Sequence, residues 1–382
     1  MSNAIRTNHK FLFIIDNLST GGSQRQMVNL AIGLKKRGYQ IELFCYAPGD
    51  LLAKPLYEQQ IPVHWHIKKG RYSPDVIFDL SRLIKNGGYD LFLSFLTTPN
   101  FYTILAALLS GKWKTPLIVS ERSYDYPGWV SRKELLIRHL YRFSSFVVTN
   151  SHHQRERLAK SYPFLINRLR TIYNGYDLHY FYPAEKEPEN NPPRLLVIAS
   201  VSHFKNSSCL IRAVKILRDR HHIFLHVDWV GQREVSGHRL EALKQMEKEI
   251  QDYGLEEQWH WLGQRTDIIQ QLHQHEVLVH PSYVEGLPNV VCEALACGRP
   301  VIVSNALDHP NLVQDGVSGF LFDWRSPEQL AEKILRIIEM PAAERHKMGS
   351  NGRAFAEKHL GLDRYVDEFE DLIRFSLNKK KR

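Results

Sequence analysis

The sequence predicts an α/β protein made of two doubly wound parallel-sheet domains. Three observations carry that prediction. Short apolar runs alternate with amphipathic helical stretches along most of the chain, the pattern of βαβ units. A segment rich in Pro, Glu and Asn, PAEKEPENNPP (Pro183–Pro193), breaks the alternation near the middle, and neither a helix nor a central strand can run through it. The length, 382 residues, is more than one hydrophobic core usually serves and natural for two domains. The expected division is an N-terminal domain over 1–182, a linker over 183–193, a C-terminal domain over 194–361, and a final segment over 362–382.

The first βαβ unit is plain. KFLFIID reads as a strand and NLSTGGS as a glycine-bearing loop. In QRQMVNLAIGLKKRG, Met27, Leu30, Ala31 and Leu34 form a helical stripe at i, i+3, i+4 and i+7. Gly38 stands where a left-handed cap is needed, and Lys35, Lys36 and Arg37 complement the dipole of the last turn. YQIELFCYA then returns as a strand, and DLFLSFL, PLIVSER and SSFVVTNS read as further strands. After the Pro-rich segment, RLLVIASV opens a second alternation. A helix follows from about Ser208, then the strand IFLHVDWVG, a helix near Leu240 to Tyr253, and the strands QWHWLG, EVLVHPS and VIVSN. SPEQLAEKILRII is a helix with Ser326 as N-cap, Pro327 at N1 and Gln329 completing a capping box. Two such halves imply a cleft between them, with ligands at the carboxyl ends of the strands.

The composition, 43% hydrophobic and 24% charged, is that of a soluble globular protein. The 4 cysteines form no CxxC pair and fall in predicted strands or helices, which points to a reduced, cytoplasmic setting. The 19 histidines show no HExxH-like spacing. FLFII (Phe11–Ile15) is too short for a signal-peptide core and stops at Asp16, and no run approaches the roughly 18 to 20 apolar residues of a membrane span. The net charge is nonetheless +9 and the chain ends NKKKR. Two readings of that tail stay open: a solvated tail, or attraction to an anionic membrane or substrate. No helix-turn-helix, zinc-finger or RNP-like pattern points to nucleic acid. No GxGxxG followed by an acid points to a dehydrogenase.

The most informative stretch is PSYVEGLPNVVCEALACGRP (Pro281–Pro300). Glu285 falls in a turn after the strand EVLVHPS, and a helix is expected over Asn289–Cys297, ended by Gly298. Only Asn289 and Glu293 are polar in that helix, so it is expected to be buried, and Glu293 then needs hydrogen-bond donors. Protein groups could supply them; so could a ligand with paired hydroxyls such as a ribose. Between the two glutamates the helix N-terminus offers free N–H groups suited to a phosphate. Carboxylate, phosphate cradle and carboxylate follow in the order of sugar, diphosphate and ribose in a nucleotide sugar.

This stretch resembles the signature of the retaining glycosyltransferases of family 4, whose hallmark is Glu-x7-Glu within a PS…EG-P…EA-A-G-PV frame. GGSQRQMVNLA, IVSERS, VTNS, IYNGYD, WLGQRTDI and DGVSGFLF resemble other parts of that family, so the likeness covers most of the chain. It implies the GT-B fold, two Rossmann-like parallel-sheet domains facing a central cleft, with HLGLDRYVDEFEDLIRFSL returning to the first domain. It implies that Glu293 holds the ribose and Glu285 the donor sugar, with Gly286, Leu287 and Asn289 near the sugar and phosphates. Lys205, in HFKN, matches the diphosphate-binding lysine, Gly22 the N-terminal loop that approaches phosphate or acceptor, and Arg265 the flank of the base. Two departures stand out. The family often carries Gly-Arg shortly before its lysine; here Ala199 and Ser200 stand there. Many members also have a histidine after the strand that here reads PLIVSER, where Arg122 is the candidate replacement.

The function this resemblance implies is transfer of a sugar with retention from a nucleotide sugar, most simply a UDP-sugar, to an acceptor hydroxyl, with no metal required. A glycan or lipid-linked acceptor in lipopolysaccharide, capsule or other surface-glycan assembly is expected, in the cytoplasm or at the inner face of the cytoplasmic membrane. A nucleotide-sugar epimerase or hydrolase, or a donor-binding protein without turnover, is the alternative on the same fold.

Overall fold

The computed structural model describes residues 9–70, 73–122, 132–233 and 235–380. The chain divides into two compact units: Met1–Gly175 with Leu362–Arg382, and Tyr176–Gly361.

The first unit is built on a seven-stranded parallel sheet. Its strands are β1 (Lys10–Ile15), β2 (Gln40–Cys45), β3 (Val63–Trp65), β4 (Leu91–Phe95), β5 (Leu117–Glu121), β6 (Phe146–Thr149) and β7 (Leu169–Thr171). Their order is β3-β2-β1-β4-β5-β6-β7, and β1 pairs with β2 on one side (Phe11 opposite Ile41) and β4 on the other (Phe11 opposite Leu91). The crossovers include helices α1 (Gly22–Lys36), α2 (Lys54–Glu58), α3 (Pro74–Asn86), α4 (Thr97–Leu109), α5 (Arg132–His139) and α6 (His152–Ser161). Helices cover both faces, so β4 and β5 are buried along their whole length, and their near-continuous apolar runs follow from that. The stripe of α1, Met27, Leu30, Ala31 and Leu34, is buried against the sheet, and Gly38 takes the left-handed φ of +93°.

The last helix of the chain, α14 (Leu362–Lys380), lies in this first unit, where Val366, Phe369 and Ile373 join the core. Gly33 of α1 makes room for it: a Cβ there would stand 2.5 Å from Val366 Cγ2. Arg37 and Tyr39 bind the Glu370 carboxylate of α14 at 2.5 and 2.8 Å.

The second unit has strands β8 (Arg194–Ile198), β9 (His226–Val230), β10 (Trp259–Gly263), β11 (Val277–His280), β12 (Val301–Ser304) and β13 (Gly319–Phe322). All are parallel, in the order β10-β9-β8-β11-β12-β13, so the winding reverses between β8 and β11. Its helices are α7 (Ser207–His221), α8 (His238–Asp252), α9 (Ile268–Gln274), α10 (Asn289–Ala296), α11 (His309–Leu312), α12 (Pro327–Glu339) and α13 (Ala342–His359). Val197, Val227, Trp229, Val279, Ile302 and Phe320 form the centre of its core. All four cysteines are buried free thiols.

Two local expectations change. Residues 183–193 lie inside the second unit, and the chain passes between units at 175/176 and 361/362. The segment holds no helix or strand, but it satisfies buried charges: the Asn190 amide donates to Glu276 at 2.8 Å, and Glu187 accepts from Arg299 at 2.7 Å. The capping box of α12 closes on one side only. Ser326 Oγ accepts from the Gln329 N–H at 3.2 Å, but the Gln329 side chain accepts from the Asp323 N–H at 2.9 Å instead of returning to Ser326. The Ser326 N–H is already used by the Asp323 carbonyl.

Candidate active site

The reversal between β8 and β11 leaves a crevice at the carboxyl ends of the strands of the second unit. A cavity of about 440 Å³ occupies it. Its walls are the residues that follow β8 (Ala199, Ser200), β9 (Gly231, Gln232) and β10 (Gln264, Arg265), with His280 and Glu285 from β11 and its loop, and Pro288, Asn289 and Val290 at the start of α10. The floor is tightly made. Trp229 Nε1 donates to the Ala199 carbonyl at 2.9 Å, and a Cβ on Gly231 would stand 2.0 Å from that same oxygen. Only glycine fits there, and its N–H bonds the Gly263 carbonyl at 2.9 Å.

Lys205 is placed by its neighbours. It ends a single 3-10 turn, His203–Lys205, and Asn206 beyond it adopts the left-handed conformation at φ +56°. From there the Asn206 amide donates to the carbonyls of Pro281 at 3.2 Å and Trp324 at 2.7 Å. The Phe204 carbonyl accepts from the Tyr283 N–H and Ser282 Oγ, each at 3.1 Å. The loop after β8 and the loop after β11 are thus laced together, which carries the Lys205 ammonium onto the Glu285 carboxylate.

His280 completes the group. It is buried, and its Nε2 stands 3.1 Å from Glu285 Oε1, the oxygen that also meets Lys205. Burial pushes the His280 pKa down, so the ring is neutral near pH 7. An ionised carboxylate has no proton to give, so Nε2 carries the hydrogen of this bond. For Glu285, burial favours the neutral form, but the His280 hydrogen bond and the Lys205 charge outweigh it and hold the carboxyl well below the ordinary range. The result is a fixed carboxylate facing a cavity, with a cation beside it and an uncapped helix N-terminus nearby. Pro288 precedes α10 and provides no side-chain cap. The Asn289 side chain accepts from Tyr176 OH at 2.7 Å.

The expected site residues divide into groups. Glu285, Lys205, Leu287, Asn289 and Arg265 come together around the cavity, although they span 205–289 in sequence. Arg265 is partly exposed and paired with Asp267 at 2.6 Å. Gly286 lies in the connecting loop between Glu285 and Leu287, beside the lining. Glu293 departs from its expected burial. Asn289, Val290 and Glu293 share one face of α10 that is only half-buried, so the helix is not enclosed on all sides, and Glu293 stands one turn beyond the cavity lining. Gly22 is the first residue of α1, exposed, in the first unit.

Arg122 does not offer a free guanidinium. It is 7% exposed at the end of β5 in the first unit. Its Nε donates to Ser120 Oγ at 3.0 Å, Nη1 to Asn174 at 2.5 Å and Nη2 to Tyr365 OH at 3.3 Å, and the group lies 4.0 Å from the centre of the Phe95 ring. Its planar fork ties β5 to Asn174 and to Tyr365 of α14, the geometry of a structural role. Among the described residues no group of three or more His, Cys, Asp or Glu side chains is arranged to hold a metal ion.

Three contributors escaped the sequence reading: His280, Asn206 and Gly231. A histidine closing an apolar strand (VLVH) and an asparagine after the lysine (HFKN) were the available signals.

Comparison with known proteins agrees with this architecture. Residues 20–180 match the model of Glycosyltransferase Family 4, and residues 181–355 match that of Glycosyl transferases group 1. An N,N'-diacetylbacillosaminyl-diphospho-undecaprenol alpha-1,3-N-acetylgalactosaminyltransferase of Campylobacter jejuni is 25% identical over 78% of this chain and 82% of its own length. Spore coat protein SA of Bacillus subtilis is 24% identical over 58% of this chain and 62% of its own length. The crystal structure of Anabaena Alr3699/HepE in complex with UDP superposes with a TM-score of 0.80 at 21% identity, covering 96% of this chain and 99% of that one. The fold is therefore that of the GT-B glycosyltransferases. The chain belongs to glycosyltransferase family 4 and is a glycosyltransferase.

Proposed function

We propose that the chain moves a sugar, with retention, from a UDP-sugar to a hydroxyl of a lipid-linked glycan during surface-glycan assembly at the inner face of the cytoplasmic membrane. The observation that carries the donor half is the run of Lys205, Glu285 and the uncapped start of α10 along one cavity at the carboxyl ends of β8 to β11. HepE was solved with UDP, and two Campylobacter relatives are named for undecaprenol-linked substrates; both facts support the reading.

In this reading Lys205 and the first N–H groups of α10 take the diphosphate, where negative charge grows as the anomeric C–O bond breaks. Glu285, locked by His280, orients the sugar hydroxyls. Leu287, Gly286 and Asn289 close around the sugar and phosphates. Arg265, with Gln264 and Gln232, flanks the base, and Glu293 reaches the ribose hydroxyls from the half-buried face of α10. Gly22 and the loop before α1 are assigned to the approach to the phosphate or the acceptor. The acceptor oxygen attacks the face the diphosphate leaves, and its proton passes to the departing phosphate oxygen. Charge on that oxygen is balanced by Lys205, with no carboxylate nucleophile required.

Calorimetric titration with UDP and a panel of UDP- and GDP-sugars, on the wild type and Glu293→Ala, tests the donor assignment. Micromolar binding of one UDP-sugar, weakened about 30-fold or more in the variant, is the expected result. Equal binding by the variant would remove Glu293 from the site. Consumption of donor without any acceptor would identify a hydrolase or epimerase instead.

A further inference from the structure

The amino-terminal edge of the first unit's sheet carries a surface that the transferase site does not use. Strands β5, β6 and β7 are neighbours. The chain enters each of them through a short connection, and the three connections meet along that edge. The Ser145 N–H bonds the Leu117 carbonyl at 2.7 Å, the Val147 N–H bonds the Arg168 carbonyl at 3.0 Å, and Arg168 Nη1 holds the Ser144 carbonyl at 2.5 Å. Each connection turns a large apolar side chain outward. Trp113, Phe143, Phe164 and Ile166 are 54%, 44%, 44% and 56% exposed. An unburied tryptophan and two phenylalanines along one rim are costly to leave in water.

The charge on these three connections has one sign. Residues 108–116, 140–146 and 160–170 contain Lys112, Lys114, Arg142, Lys160, Arg168 and Arg170 and not one Asp or Glu. The cations ride on the aromatic rings: the Lys114 ammonium is 5.3 Å from the Trp113 ring centre, and the Arg142 guanidinium is 5.3 Å from that of Phe164. The opposite face of the sheet adds to the same edge. Phe375 of α14, 58% exposed, packs on Phe146 at the start of β6, with ring centres 5.7 Å apart. The sequence NKKKR follows Phe375 within three residues, and Lys381 and Arg382 lie outside the described residues. Aromatic and branched apolar tips between cations, with no carboxylate among them, complement a layer of phosphate head groups over acyl chains better than they complement a protein of mixed charge.

We propose that this edge docks on the surface of a bilayer that carries anionic lipid, with Trp113, Phe143, Phe164 and Ile166 at the level of the head groups and the cations over the phosphates. No described helix is long and apolar enough to cross a membrane.

Sedimentation of the full chain with vesicles tests this. Binding to mixed phosphatidylglycerol–phosphatidylcholine vesicles, absent with pure phosphatidylcholine and weakened by salt, is expected. Each surface cation contributes about fivefold, so Lys112→Glu/Lys114→Glu/Arg142→Glu lowers vesicle affinity by roughly 100-fold or more. Trp113→Ser/Ile166→Ser lowers it separately, through lost insertion. Arg239→Glu/Lys244→Glu/Lys248→Glu, the same charge change on exposed α8, leaves it within a few-fold. UDP titration runs alongside: UDP binding unchanged while vesicle binding falls separates this surface from the donor site. Equal binding to both vesicle types, wild-type binding by both edge variants, or loss of binding only by the α8 variant would overturn the proposal. Self-association that Trp113→Ser/Ile166→Ser abolishes, without vesicle binding, would assign the edge to a second copy instead.

Discussion

Lys205 and Glu285 form an ion pair across 80 residues of sequence, and His280 holds the same carboxylate oxygen from the other side. The pair joins the loop after β8 to the loop after β11, at the point where the winding of the second sheet reverses. Each loop brings one half of a charge arrangement that neither could hold alone.

Removing charge from this pair should separate binding from turnover. Glu285→Gln keeps the shape, loses the charge and leaves Lys205 without its anion. We expect a kcat/KM loss of about 100-fold with UDP affinity changed less than tenfold, since the carboxylate is assigned to the sugar. Lys205→Ala should weaken UDP itself by about 10- to 100-fold. Steady-state kinetics together with calorimetry distinguish the two; equal effects on UDP would contradict the division of roles.

His309 makes folding sensitive to mild acid. It is fully buried beside Ser304 and His280, and burial lowers its pKa from 6.5 to about 3. The unfolded chain therefore takes up a proton below pH 6.5 that the folded chain refuses. Stability is greatest above that pH and falls as pH drops toward about 3, by roughly 1.4 kcal/mol per pH unit for a single such group. His280, also pushed down by burial, acts in the same direction. Denaturant titrations between pH 7 and 4 should show a shallower decline in His309→Gln than in the wild type. Parallel curves would mean that other groups set the acid limb.

Gly231→Ala is expected to damage stability and donor binding together. The new Cβ meets the Ala199 carbonyl oxygen at 2.0 Å, a backbone atom that cannot step aside without moving the end of β8. A loss of about 2–3 kcal/mol is expected, with UDP binding reduced because Ala199 and Gly231 line the cavity. A thermal melt and a UDP titration on one sample read both. Unchanged values would show that β8 and β9 part easily at this end.

Arg122→Lys tests whether that residue is structural. Lysine cannot span Ser120, Asn174 and Tyr365 at once, nor lie flat on Phe95. The variant should lose about 2–4 kcal/mol of stability and bind UDP as the wild type does. Wild-type stability with a selective loss of turnover would return Arg122 to the sugar.

Much of the architecture is legible in one dimension because its causes are local. Strands buried on both faces must be apolar nearly throughout, as Phe11–Ile15 is and as Leu91–Phe95 is but for Ser94, whose hydroxyl donates to Asn100, and helices against a sheet must repeat every three to four residues, as Met27 to Leu34 do. Glu285 falls in the turn expected between Pro281 and Pro300 because a strand, a turn and a helix follow in immediate succession, and the chain has no freedom to put the turn elsewhere.

Only the tertiary structure decided the rest. Whether Glu293 is enclosed depends on what packs against one face of α10, and its own helix does not encode that. Arg122 looked available because Asn174 and Tyr365, the groups that occupy it, lie 52 and 243 residues away. His280 gained its role only when Lys205, 75 positions upstream, was folded onto the same carboxylate. Periodicity reports the solvent and the sheet, which act on every turn of the chain alike. Charge partners are chosen by crossovers that bring distant loops to one strand end, and that choice is made in space.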